Sequence, residues 1–214
     1  MKLFRAAATA LLATAPIMAF AGPVLVNFEK TWDFANGDVN GYYGGGTAAD
    51  GTSGPNLGVS FVNVSGLSND PSFPAYSNAP SPIGVAYAHT FTEDDRSFMN
   101  MTAAAIGSFS FFYSSPVAVL GAVKAYSGLN GTGNLLGSLN LLANDAPDIY
   151  DAWTLATFAF SGQALSFDFT ASANAVAFDN VSVTAVPEPS TVLLMLAGGV
   201  AALRTATRRR KAAP

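Results

Sequence analysis

The sequence has no cysteine. That removes thiol catalysis, iron–sulfur clusters and cysteine-type zinc sites, and it requires a core able to stand without disulfide staples. Histidine is nearly as scarce: His89 is the single one in 214 residues, which leaves a zinc site without its usual ligands. Charged residues make up 11% of the chain and apolar residues 50%, a balance that excludes a disordered polyampholyte. Positive charge is almost missing from the middle. Lys2, Arg5, Arg204, Arg208, Arg209, Arg210 and Lys211 sit at the two ends, and only Lys30, Arg96 and Lys124 lie between them. Against these three bases, residues 22–186 carry thirteen acids, a net charge of −10. Such a surface repels phosphate backbones, so nucleic acid is excluded as a partner, whereas divalent cations and neutral sugars suit it.

Helical periodicity is also absent from Val24 to Val186, where the apolar signal has period two. Phe109, Phe111 and Tyr113 alternate with other residues, as do Phe158 and Phe160, and Phe167 and Phe169. Further strands are expected at Leu25–Glu29, Gly58–Val64, Ile83–Phe91, Pro116–Tyr126, Leu135–Leu142 and Val176–Thr184. Asn36-Gly37, Asn40-Gly41, Asn130-Gly131 and the run Pro71 to Pro82 supply turns. Eight or nine strands without βαβ alternation predict an all-β, antiparallel β-sandwich or jelly roll over residues 22–186, with long loops at 31–55 and 66–82.

The two ends read differently. Met1 to Ala21 has a basic start, an apolar run from Ala6 to Ile17, and Ala19-Phe20-Ala21 as a small-x-small site. That is a secretory signal peptide over residues 1–21, cut by signal peptidase after Ala21. At the other end, Pro187-Glu188-Pro189 stops the preceding strand, since proline cannot donate to a sheet ladder. An apolar run from Thr191 to Leu203 follows, then Arg204 and the cluster Arg208, Arg209, Arg210, Lys211. A transmembrane helix over about 191–207 spans marginally if Arg204 snorkels, with the basic end 208–214 on the cytoplasmic side. Pro-Glu-Pro, apolar helix and terminal arginines together resemble the PEP-CTERM sorting signal of Gram-negative bacteria. The resemblance implies that an exosortase, a membrane-embedded cysteine transpeptidase, removes the tail 187–214. The protein is then released or attached to the envelope, often in organisms that make exopolysaccharide.

Within the domain, His89 shares strand parity with Val85 and Tyr87, and no Gly-x-Ser-x-Gly elbow accompanies it, so it is expected to be structural. Glu93-Asp94-Asp95 reads as a solvated turn, and Gly41 to Gly46 lacks the lysine and helix of a phosphate loop. Trp32, Tyr42 and Tyr43, in an acidic Gly-rich loop, are candidates for stacking on sugar rings. Glu29 in the first strand and Asp179 in the last resemble the pair that meets on a structural calcium in jelly-roll carbohydrate-binding modules. Calcium asks for several oxygens at about 2.3–2.6 Å. The expectation is a non-enzymatic surface or matrix protein associated with exopolysaccharide in a biofilm. A carbohydrate-binding module with structural calcium is the alternative, and a secreted glycoside hydrolase would need two carboxylates about 5–10 Å apart in a cleft.

Overall fold

A computed structural model describes residues 22–68 and 76–186. The signal segment with Ala19 and Ala21, and the tail 187–214 with its expected helix, lie outside the described residues. Ten strands follow in order: β1 (Gly22–Val26), β2 (Val59–Val62), β3 (Val64–Ser68), β4 (Gly84–Ala88), β5 (Phe98–Ser114), β6 (Val119–Tyr126), β7 (Leu135–Leu141), β8 (Thr154–Ala159), β9 (Ala164–Asp168) and β10 (Ala177–Ala185). Every pairing is antiparallel, and the strands join one sheet in the order β3-β4-β10-β5-β9-β6-β7, with β1 on β10 and β2 and β8 on β5. The described residues are therefore all-β and antiparallel, as their period-two pattern predicts. No helix among the described residues is long and apolar enough to cross a membrane.

The sheet folds over through β5. Its first half pairs with β2 and β9, its second half with β10 and β8. Between Asn100 and Ala105 it advances five residues while β9 advances two, and between Ile106 and Phe109 it advances three while β10 advances one. These bulges lie at the fold, and Gly107 takes the φ of 84° that a bulge of this kind favours. Phe167 pairs with Met99, yet its ring centre is 4.2 Å from that of Phe109, ten positions along. A straight strand would separate those positions by about 33 Å. The two halves thus face one another across an aromatic core in which Phe169 stacks on Phe178 at 4.9 Å and Phe28 meets Phe178 at 5.7 Å.

Three expectations change. The first strand is not Leu25–Glu29, because β1 starts at Gly22 and ends at Val26, and Phe28 just beyond it adopts φ 54°. Gly58–Val64 is not one strand, because Asn63 adopts φ 51° and separates β2 from β3. The loop expected from Gly66 starts later, since Gly66–Ser68 belong to β3 and pair with β4. The 31–55 segment is a loop as expected, folded by isolated bridges such as Asp38 to Ser65 and Thr47 to Ser53.

Candidate functional site

β10 organises what the sequence singled out. Phe178 points into the core, so alternation sends its neighbours Ala177 and Asp179 to the outer face. Asp179 is nevertheless fully buried, because the segment leading into β4 covers it. Its Oδ2 accepts from the Ser81 N–H (2.8 Å) and the Ser81 hydroxyl (2.7 Å), and its Oδ1 from the Asn180 N–H (2.7 Å). Burial pushes the carboxyl up to about 6 despite these donors, and the Glu29 charge adds to the rise. Glu29 reaches the same segment: its Oε1 accepts from the N–H groups of Ile83 (2.9 Å) and Gly84 (3.0 Å). The two carboxylates predicted to meet therefore converge on Ser81–Gly84. The Ser81 hydroxyl, with one hydrogen, also lies 2.9 Å from the Asn27 carbonyl, so acceptors outnumber donors there. Among the described residues no three His, Cys, Asp or Glu side chains gather at one point. A cation here would have to draw most of its ligands from backbone carbonyls and water.

The expected sugar platform is placed elsewhere. Trp32 and Tyr43 are each only 4% exposed and belong to the core; Tyr42 is half-buried against both. The Trp32 Nε1–H donates to the Phe28 carbonyl at 2.8 Å, and the Lys30 ammonium lies 4.4 Å over the indole. Rings packed in this way hold the 31–55 loop onto the sheet and offer no stacking platform. Burial also pushes the Tyr43 hydroxyl well above its ordinary value, with Tyr42 adding.

His89 is buried just past β4, with Nε2 2.9 Å from Asp38 Oδ1. Ser65 donates its hydroxyl to that same oxygen. The aspartate sits between serine and histidine, so the histidine does not contact the hydroxyl it would have to activate. Glu93–Asp95 forms the expected turn: Asp95 accepts from the N–H groups of Phe91 and Thr92, which hold its carboxyl below the usual range.

A third cluster gives no sequence signal. Tyr87, Ala177 and Ser114 lie in one row across β4, β10 and β5 on the outer face. The segments around residues 76–83 and 142–153 rise over this row. Tyr76 and Tyr150 stack there at 5.4 Å, and with Tyr87, Asn174 and residues 175–177 they line a cleft of about 230 Å3. The walls are tied together, with Trp153 Nε1–H donating to the Ser77 carbonyl (3.1 Å) and Asn78 Nδ2 to that of Asp151 (3.4 Å). Asp145 cements the second wall, accepting from Ser114 Oγ and from the N–H groups of Ala146, Asp151 and Ala152 at 2.7–2.9 Å. Burial works to raise its carboxyl, but those donors outweigh it and hold it below the usual range. A depressed folded pKa stabilises above the ordinary aspartate value of about 3.9 and is lost as pH falls through the depressed value. Acidification is thus expected to expose the Asp151 and Ala152 amides to hydrogen exchange before the β5 and β10 amides. Simultaneous exposure would contradict this role for Asp145.

Comparisons with known proteins place the tail firmly and the domain only distantly. The model of the PEP-CTERM protein-sorting motif matches residues 185–211. No curated protein matches the chain. Among solved structures, the K1 cleaved adhesin domain of Lys-gingipain from Porphyromonas gingivalis W83 is 13% identical with a TM-score of 0.47, covering 77% of this chain and 98% of its own. The CBM22-1–GH10 modules of endo-1,4-beta-D-xylanase 10B from Clostridium thermocellum, complexed with xylohexaose, are 10% identical with a TM-score of 0.36, covering 61% of this chain and 26% of their own. Likenesses this distant carry nothing about ligand or activity. The sorting motif does carry a conclusion: its Pro187-Glu188-Pro189 and its basic end Arg208 to Lys211 fall within the matched residues, and this chain carries a PEP-CTERM protein-sorting motif.

Proposed function

We propose that residues 22–186 form a non-enzymatic surface domain of jelly-roll type, released from its membrane tail by an exosortase and held in the exopolysaccharide of a biofilm matrix. One observation carries this reading. The sorting motif begins at Ala185, the last residue of β10, which pairs with Gly22, the first residue of β1. Gly22 is also the residue that signal peptidase would expose after Ala21. Both processing sites thus adjoin one pole of the folded sheet. Ala177, which lines the tyrosine cleft, stands at the other end of β10, about 27 Å away at the usual rise per residue. The outer pole is thereby turned from the membrane while the tail, with Arg204 and the basic cluster, is engaged. Mass spectrometry of the native protein is expected to find Gly22 at one end and a terminus near Pro189 at the other, only in cells with the exosortase. A mature chain still ending at Pro214 would overturn the processing.

Structural calcium at Glu29 and Asp179 belongs to the same proposal. Its support is the crowding of the Asn27 carbonyl and two carboxylates around one segment, with no Lys or Arg paired to either carboxylate among the described residues. For a dissociation constant of about 10⁻⁴ M, 5 mM calcium would stabilise the fold by about 2 kcal/mol and raise its melting temperature by about 5 °C. Asp179→Ala should abolish the shift. A wild-type melting temperature indifferent to calcium would remove the ion from this account.

A further inference from the structure

We propose that the cleft between Tyr76, Tyr87 and Tyr150 is a subsite for one neutral pyranose ring of a polysaccharide. This deepens the matrix reading above by locating the contact. The case rests on shape, chemistry and charge. At about 230 Å3 the cleft is below the roughly 300–1,000 Å3 of sites that engulf a whole ligand, so it suits one ring of a chain whose remainder stays in solvent. Each tyrosine offers an apolar ring together with a hydroxyl. A pyranose has the complementary pair of surfaces, a C–H face and a rim of hydroxyls. Tyr76 and Tyr150 are already stacked on one another, and hydrogen bonds from Trp153 and Asn78 join their two segments. The walls therefore lose little freedom on binding. The Asn174 amide nitrogen is committed to the Thr90 carbonyl at 2.8 Å, which leaves its oxygen to accept from a sugar hydroxyl.

Charge narrows the ligand further. Asp145 and Asp148 lie close enough to Tyr150 for their charges to push its hydroxyl up, after burial as the larger cause. Burial likewise pushes Tyr76 up to about 12, so these hydroxyls stay neutral donors at any physiological pH. Carboxylates of this kind repel uronate, sulfate and phosphate groups, and the domain's net charge of −10 acts in the same direction. The site thus selects neutral units and rejects anionic ones.

The test uses the protein as isolated from the host envelope, titrated with the host's exopolysaccharide split by anion exchange into neutral and acidic fractions. Decaproline serves as a competing aromatic-cleft ligand. Binding of the neutral fraction is expected to weaken about tenfold in Tyr150→Ala and in Tyr76→Ala, and by less than about threefold in Tyr150→Phe, which keeps the ring. Phe91→Ala, an exposed aromatic outside the cleft, should change nothing. Failure of the neutral fraction to bind would overturn the subsite. So would binding that survives both alanine variants, or tyrosine-dependent binding of the acidic fraction or decaproline in its place. Retention of the protein in the matrix is scored separately. A wild-type protein that binds the neutral fraction but washes wholly into the medium sinks the matrix reading and keeps the cleft. Variants that stay retained and bind with unchanged affinity sink the cleft and keep the matrix reading.

Discussion

Asp179→Ala is expected to lower the stability of the calcium-free protein by about 3 kcal/mol, seen as a fall of about 10 °C in melting temperature. Three donors converge on this carboxylate, and truncation treats them unequally. The Ser81 hydroxyl can turn fully to the Asn27 carbonyl at 2.9 Å and loses little. The N–H groups of Ser81 and Asn180 have no such recourse, and each buried, unpaired N–H costs about 1–3 kcal/mol. Removing a carboxyl that burial raises to about 6 relieves a desolvation penalty, which offsets part of that loss. Asp179→Asn keeps one oxygen for Ser81 and should recover about half. A loss below about 1 kcal/mol for the alanine variant would mean that water replaces the carboxylate, and that Asp179 does not pin the segment.

Pinning matters beyond stability. Ser81 and Gly84, held by Asp179 and Glu29, lie a few residues after Tyr76 on the segment that forms one wall of the cleft. The acidic pair and the tyrosine cluster are thus two parts of one outer face of β10 and β4. Asp179→Ala should therefore weaken saccharide binding as well as stability, although its carboxyl does not line the cleft.

How far the sequence could be read depended on whether the signal was local. Alternating aromatics such as Phe109, Phe111 and Tyr113 reveal a strand because one face of a sheet must be apolar. The Pro-Glu-Pro tail is a continuous motif recognised as a linear segment, so folding does not scramble it. Glu29 and Asp179 were singled out by their places in the first and last expected strands, although β1 ends three residues before Glu29. The tyrosine cleft was not, because residues 76, 87 and 150 come from two loops and a strand and share no spacing. Trp32, Tyr42 and Tyr43 misled in the opposite direction. Their Gly-rich, acidic surroundings look like an exposed loop, yet the rings turn inward: Gly54 lets Tyr42 pack closely, and Gly66, outside the loop, does the same for Trp32.

Gly66 shows that close approach most sharply, and Gly66→Ala is expected to destabilise the fold by about 3–4 kcal/mol. A Cβ at this position would press on the Trp32 ring, far inside van der Waals contact with Cγ, Cδ2 and Cε2. The indole has little room to retreat, since Nε1 is bonded to the Phe28 carbonyl and the ring packs edge-on against Tyr42 at 5.6 Å. Relief must come from moving Trp32 out of the core and breaking both contacts, or from parting β3 from β4, which Gly66 joins by pairing with Ala86. Urea denaturation measures the loss, and tryptophan emission shifting to the red reports the first route. Trp32→Leu is costly by itself, but in a Gly66→Ala background it should add little, because the smaller side chain accepts the new methyl. Strictly additive losses would show that the clash is absorbed elsewhere. A glycine inside Val64-Ser65-Gly66-Leu67, a segment otherwise fit for a strand, is the one sequence sign that another group must come close to the sheet here. It assigns Trp32 to the core, and with it the 31–55 loop to the body of the domain.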